Sequence, residues 1–319
     1  MHWRPNFIKI MKIQIRLLVL SLFITSISVA ALNAQSVTTS GVMWEPVDIK
    51  KQNLYYGPGG TSLRPNLRRV TLIRRETGGN NLKYRIRDAS GRVWVAKIAD
   101  ESQPEVAAVR LLWAIGYKTE INYIAPTLRI PGKKVYRNVS LELRPSGVDR
   151  DERWRWDDNP FNGTNEMAGL KMMMAMFNNW DLKDENNLIM KSDKGNHFVI
   201  SDLGSTFGKL PIHSAMILNR IGRSVNDPSD YVRSDFIEGA RDGEIQFSYK
   251  GKAADLMDGI TMEQGRWLAA LLTQLSDKQI SDAFRAGNYN ATSVQTLSRA
   301  FRARINALSQ VSSGPMAAE

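Results

Sequence analysis

The chain has 319 residues, 43% of them apolar, which excludes a fibrous or wholly disordered protein and is enough for two lobes or one large domain. It contains no cysteine, so disulfides and thiolate chemistry are excluded. The net charge of +11 favours anionic partners such as a nucleotide, a phospholipid or an acidic polymer. No aromatic-interleaved basic stripe is present, so no specific nucleic-acid partner is expected.

Lys12 and Arg16 lead into the apolar run at 17–24 and then into Ala30-Ala31-Leu32-Asn33-Ala34. A basic stretch, an apolar stretch and a small-residue site are the parts of a secretory signal, here residues 1–34, with Met11 the natural start and cleavage after Ala34. The alternative is an uncleaved anchor, although a span needs about 20 apolar residues and this run is broken by Thr25, Ser26 and Ser28. No other segment is long and apolar enough to span a membrane. Four positive charges, Arg4, Lys9, Lys12 and Arg16, lie in residues 1–34 with no acid, so cleavage would take +11 to +7. An exported chain without cysteine suits a bacterial envelope, and the periplasm or cell envelope is the expected location.

Residues 35–68, with Gly57-Pro58-Gly59-Gly60 in the middle, read as an extended lead-in. Three strands are predicted at 70–74, 83–87 and 92–98, joined by a loop with Gly78-Gly79-Asn80 and by Asp88-Ala89-Ser90-Gly91. In the third strand Val93, Val95 and Lys97 share one face by the two-residue period, so Lys97 would point inward and need a partner. Pro104-Glu105 opens a helical pattern that Gly116 ends, and Glu105 is the predicted partner. An acid in the first turn also suits the helix dipole alone. The charged, aromatic stretch 150–160 is a predicted loop that packs its tryptophans, and 164–177 a buried helix with Thr164 as N-cap and its methionines as core.

Next come Phe177-Asn178-Asn179-Trp180-Asp181-Leu182-Lys183-Asp184-Glu185-Asn186 and a predicted hairpin of strands 187–190 and 197–201. That hairpin would bring Asn186, at the start of one strand, beside Asp202, at the end of the other. Two hard oxygen donors suit magnesium, and a nearby carboxylate, Asp181, suits the acceptance of a hydroxyl proton. The alternative is a polar loop before an ordinary hairpin, since Asp and Asn are common turn residues. Residues 205–250 read as loop-rich, three amphipathic helices follow at 261–275, 276–286 and 293–308, and 311–319 is a frayed tail.

Asp181 and Asn186 have the spacing of H-R-D-L-x-x-x-N, and Asp202-Leu203-Gly204 stands where D-F-G would, so the chain resembles the protein-kinase-like superfamily, its lipid-kinase and atypical branches included. It also looks like an uncharacterised family of exported bacterial proteins, through L-Y-Y-G-P-G-G, L-L-W-A-I-G-Y, W-D-D-N-P-F-N-G-T and S-D-L-G-S-T-F-G. The resemblance implies an α+β, two-lobed fold with a small β-rich N-lobe at 69–130 and a larger helical C-lobe at 131–310. It implies ATP and Mg2+ as cofactors and phosphate transfer to a hydroxyl of a protein, lipid or sugar. By matching, Asp181 is the base, with Lys183 beside it; Asn186 and Asp202 hold metal. Lys97, Glu105, Gly78, Gly79 and Asn80 attend the nucleotide. Trp180 replaces the Arg of H-R-D, the glycine loop lacks G-x-G-x-x-G and no A-P-E follows Asp202, which argues against activation-loop control. The competing class is a non-catalytic kinase-like module that binds an envelope partner.

Overall fold

The computed structural model describes residues 41–79, 81–213 and 221–313. The expected signal at 1–34, the start of the lead-in at 35–40, Asn80 and the tail from 314 lie outside the described residues. This part of the chain is a mixed α/β structure in which a β-rich region precedes a mainly helical one. Gly41–Val42 forms β1, and β2 (Thr71–Glu76), β3 (Leu82–Arg87) and β4 (Val93–Ile98) fall where alternation and turn residues predict them. Asp88 fixes the β3–β4 turn, since its carboxylate accepts from the N–H groups of Ser90 and Arg92 and from the Trp94 indole. Helix α1 (Ser102–Ala114) then leads to β5 (Asn122–Arg129) and β6 (Val135–Leu143).

The five strands pair in the order β2-β3-β4-β6-β5, every pair antiparallel. Because β6 joins this sheet, the sheet extends to Leu143, past the boundary expected at 130; β6 earns its place by pairing with β4 and β5, which a division by sequence texture does not register. The register sorts side chains onto two faces. Tyr84, Ile86, Trp94, Ala96, Tyr123, Val139 and Leu141 form an apolar cluster on one, with Leu63 and Leu67 against it. Lys83 opposite Lys97, Arg85 opposite Val95, and Arg87 opposite Val93 make the other face polar.

Helix α2 (Asn165–Phe177) is the centre of the helical part. Thr164 caps it by accepting from Met167 N–H at 3.2 Å, and Asn178 ends it in the left-handed conformation at φ 55°. Met172, Met173, Met174 and Met176 are fully buried, as expected of core rather than a metal box. After the hairpin of β7 (Asn187–Ser192) and β8 (Gly195–Ile200) come α3 (Pro228–Arg233), a second hairpin of β9 (Ile237–Arg241) and β10 (Glu244–Phe247), and helices α4 (Met262–Leu272), α5 (Asp277–Ala286) and α6 (Ala291–Ser312). Capping boxes at Thr261/Gln264 and Ser276/Gln279 start α4 and α5.

Residues 41–68, expected as an extended lead-in, are turned and tied down. Two short 3-10 turns (Ile49–Lys51 and Gly57–Gly59) interrupt the segment, β1 pairs in parallel with β8, and Met43, Ile49 and Leu54 are buried in the helical core. Apolar residues scattered among glycines carry no periodic signal, so their burial is not readable from spacing. Trp154 and Trp156 pack edge to face at 4.9 Å within the same core, as the loop at 150–160 was expected to do.

Candidate active site

Lys97 lies near the end of β4 with its side chain 8% exposed. Its ammonium meets three carboxylates: Asp202 Oδ1 at 2.8 Å, Glu105 Oε2 at 3.2 Å and Glu101 Oε2 at 3.3 Å. The expected Lys97–Glu105 pairing is thus present inside a larger cluster. Ser102 Oγ donates to the Lys97 carbonyl at 2.9 Å, which ties the strand end to the start of α1 and brings Glu105 one helical turn on to the ammonium. Burial alone would lower the Lys97 pKa, but the charges of Glu105, Asp202 and Glu101 carry it well above its ordinary value. Burial pushes Glu105 up to about 7 against the pull of Lys97. Asp202, whose side chain is 32% exposed, is raised by burial but brought below the usual range by Lys97 and by the Gly204 N–H.

Glu101 was not singled out in the sequence. It reaches Lys97, accepts from Asn81 Nδ2 at 2.5 Å and from Ser205 Oγ at 3.3 Å, and so links the sheet to the D-L-G loop. Gly204 is required there, because a Cβ would stand 2.6 Å from Glu101 Cβ.

The β7–β8 hairpin brings Asn186 and Asp202 to one cleft, with Ser201 N–H donating to the Asn186 carbonyl at 2.8 Å. Asn186 spends its amide N–H on the Asp181 carbonyl at 3.0 Å, which holds the loop between them in place. Among the described residues no cluster of three or more His, Cys, Asp or Glu side chains could hold a metal ion, so a cation here would rely on Asp202 and Asn186 with phosphate and water oxygens.

The cleft has a volume of about 920 Å³. Val93, Val95, Val148 and Leu188 give it an apolar slot, with Lys97, Glu105, Asn186 and Asp202 at one side. Its lining also carries six cations, Lys83, Arg85 and Arg87 from β3 and Arg144, Arg150 and Arg153, interspersed with the acids Glu142, Asp149, Asp151 and Glu185. The alternation Lys83-x-Arg85-x-Arg87 was a legible sign that three cations share one face. Arg85 pairs with Glu76 at 2.6 Å and Arg150 with Glu142 at 2.8 Å.

Asp181 does not line that cleft. Its carboxylate is held by Lys252 Nζ at 2.5 Å and Lys183 Nζ at 3.0 Å, and these two lysines bring its pKa below the usual range although burial pushes the other way. Lys252 comes from the loop after β10, where Lys252 N–H donates to the Trp180 carbonyl at 2.8 Å and Tyr249 Oη to the Asn179 carbonyl at 2.5 Å. No spacing in the sequence pointed to it. Gly78 and Gly79, expected to attend the nucleotide, stand exposed at the β2–β3 turn and are not among the residues that line the cleft; Asn80 is outside the described residues.

No family model matches the chain, and no curated protein matches it. Among solved structures, the crystal structure of a Helicobacter pylori proinflammatory kinase, CtkA, is similar to it, with a TM-score of 0.48 and 9% identity over 74% of this chain and 93% of that one. At that level the likeness carries no argument about activity, and the functional reading rests on the residues of this chain.

Proposed function

We propose that this chain is an exported, two-lobed, protein-kinase-like phosphotransferase that moves the γ-phosphoryl group of ATP to a hydroxyl acceptor with magnesium. The observation that carries the reading is the Lys97 ammonium, buried against Glu105 and Asp202 at the edge of a cleft that also presents Asn186. The apolar slot of Val93, Val95 and Leu188 suits a flat base, and the cations beside it suit a polyphosphate. Lys97 would contact phosphate oxygens, with Glu105 as its orienter. Asp202 and Asn186 would hold magnesium, which when bound neutralises charge on the phosphate oxygens.

In the transfer the acceptor oxygen forms a bond to the γ-phosphorus as the bond to the bridging oxygen of ADP breaks. Asp181 takes the acceptor proton, and its two lysines keep it ionised for that role. Lys183 would also offset charge on the transferring group. The signal-like residues 1–34 support export to the periplasm or envelope.

One observation favours a non-catalytic module for an envelope partner: the Asp181 carboxylate is already engaged by Lys183 and Lys252 and lies off the cleft. Transfer from γ-labelled ATP to protein, lipid and sugar acceptors decides between the two. Label that Asp181→Asn abolishes supports the enzyme; no transfer by the wild type to any acceptor supports the module.

A further inference from the structure

Arg110, on α1, is 1% exposed. Its Nη1 donates to Asn122 Oδ1 at 3.0 Å, its Nη2 to the Asn122 carbonyl at 2.6 Å and its guanidinium lies over the Tyr123 ring at 5.3 Å, but its Nε has no hydrogen-bond partner and no carboxylate of the described residues pairs with it. Burial lowers its pKa to about 10, which leaves it charged at neutral pH. A buried guanidinium without a counter-ion is costly. Arg304, equally buried, shows the alternative: it donates to the carbonyls of Met176 and Ser234 and to Asn178 Oδ1.

The chain is shaped around this unpaired charge. Gly57, in the L-Y-Y-G-P-G-G motif that the cleft does not use, adopts φ +64°, and a Cβ there would stand 2.3 Å from Arg110 Nε. Beside it is a second cavity, of about 180 Å³, lined by Arg110, Arg64 and Arg285 and by Tyr55, Tyr56 and Tyr123. Arg64 sits over the Tyr56 ring at 5.7 Å and Arg285 over Tyr55 at 5.3 Å. Of these three guanidinium groups one is paired with a carboxylate, Arg285 with Asp282 at 2.7 Å, and the other two, Arg64 and Arg110, pair with no carboxylate of the described residues and have aromatic rings beside their charge, those of Tyr56 and Tyr123. Its volume is below the ~300 Å³ at which sites for drug-sized ligands begin, which excludes a whole nucleotide and admits a small anion.

We propose that this cavity is a second binding site, for a doubly charged oxyanion of the phosphate class, in which Arg110 supplies the buried charge and Arg64 and Arg285 close over the ligand. The site is independent of the phosphotransferase reading. Charge-assisted bonds to a dianion would satisfy the orphaned Arg110 group and remove the cost of its burial.

The test is calorimetry and thermal unfolding of the whole chain with inorganic phosphate, glycerol phosphate and acetate at constant ionic strength. Saturable phosphate binding with a rise in Tm, and weaker binding of acetate, is expected. Arg110→Met should weaken binding at least about tenfold, since it removes a charged donor, and should lose the phosphate-induced rise in Tm, while its Tm without phosphate reflects both the removed charge and the orphaned Asn122 acceptors. Arg64→Gln, on the surface, should weaken binding without affecting folding, so it carries the test if Arg110→Met does not fold. Lys83→Ala, in the cleft, should bind as wild type. Tighter binding of glycerol phosphate points to an ester ligand and tighter binding of phosphate to the free ion; both support the site. Absence of saturable binding, unchanged binding in the Arg64 and Arg110 variants, or loss in Lys83→Ala overturns it.

Discussion

Lys252 Nζ stands 2.5 Å from Asp181 Oδ1, a contact made across 71 residues of sequence. It is held by backbone and packing, because Lys252 N–H donates to the Trp180 carbonyl and a Cβ on Gly251 would stand 2.8 Å from Trp180 Cα. The candidate base is therefore flanked by a lysine from its own loop and a lysine from a distant one.

Asp181 has a lowered pKa in the fold, so its contribution to stability is present above the unfolded carboxylate value and is lost as pH falls through the folded one. In Lys252→Met the Asp181 carboxyl should take up a proton at higher pH, and the acid limb of any transfer activity should move to higher pH. Gly251→Ala, which displaces the same loop, should shift it in the same direction. A pH–rate profile of the two variants checks both, and an unmoved limb would separate Lys252 from the base. Asp181→Asn should lower transfer by about 10²–10⁴-fold with folding retained.

The cluster around Lys97 should respond unequally to its two obvious variants. Lys97→Met leaves Glu101, Glu105 and Asp202 facing one another without a cation, and should cost about 3–5 kcal/mol in denaturant unfolding. Glu105→Gln should cost less, because Lys97 keeps Asp202 and Glu101.

Glu105 also makes stability depend on pH. Its folded pKa of about 7 is above that of the unfolded chain, so its favourable contribution is full below the unfolded value and is lost as pH rises through 7. Relative to Glu105→Gln, wild type should lose stability between about pH 5 and pH 7.5. Unfolding midpoints of the two proteins at both ends of that window test this; a constant difference would mean that Glu105 titrates normally.

Magnesium-dependent binding of a nucleotide analogue should be lost or weakened at least about tenfold in Asp202→Ala, since a charged ligand is removed from the cation. Asn186→Ala should weaken it too and, by releasing the Asp181 carbonyl, should also lower transfer at saturating nucleotide. Calorimetry of wild type and both variants is the measurement, and equal binding by Asp202→Ala would take that residue out of the metal site.

Export predicts a mature protein that begins at Gln35 in the envelope fraction. Fractionation with N-terminal sequencing reads this directly, and an intact Met11 start in the cytoplasm would refute it.

Much of the site was legible because its parts are local. Asn186 and Asp202 meet across a hairpin whose alternation and turn residues are written in the chain, and Lys97 and Glu105 are eight positions apart on a strand and the helix that follows it. The positions of β2 to β4, of α2 and of the capped C-terminal helices follow from periodicity and capping residues for the same reason. The sheet's last two strands were not predicted, and the β2–β3 glycine turn was expected at the nucleotide, where the cleft does not reach it.

The sequence by itself determined the local elements and two local pairs, Lys97 with Glu105 and Asn186 with Asp202, since spacing within an element and across one short turn decides which side chains share a face. Only the tertiary structure decided that the two pairs meet through Lys97 and Asp202, that Glu101 reaches Ser205 beside the D-L-G loop, that Lys252 rather than another of the chain's lysines reaches Asp181, and that L-Y-Y-G-P-G-G closes over Arg110. Those contacts join loops far apart in the chain, where no period repeats, and they are selected by how the sheet, the helices and the turned segment at 41–68 bury their apolar faces against one another.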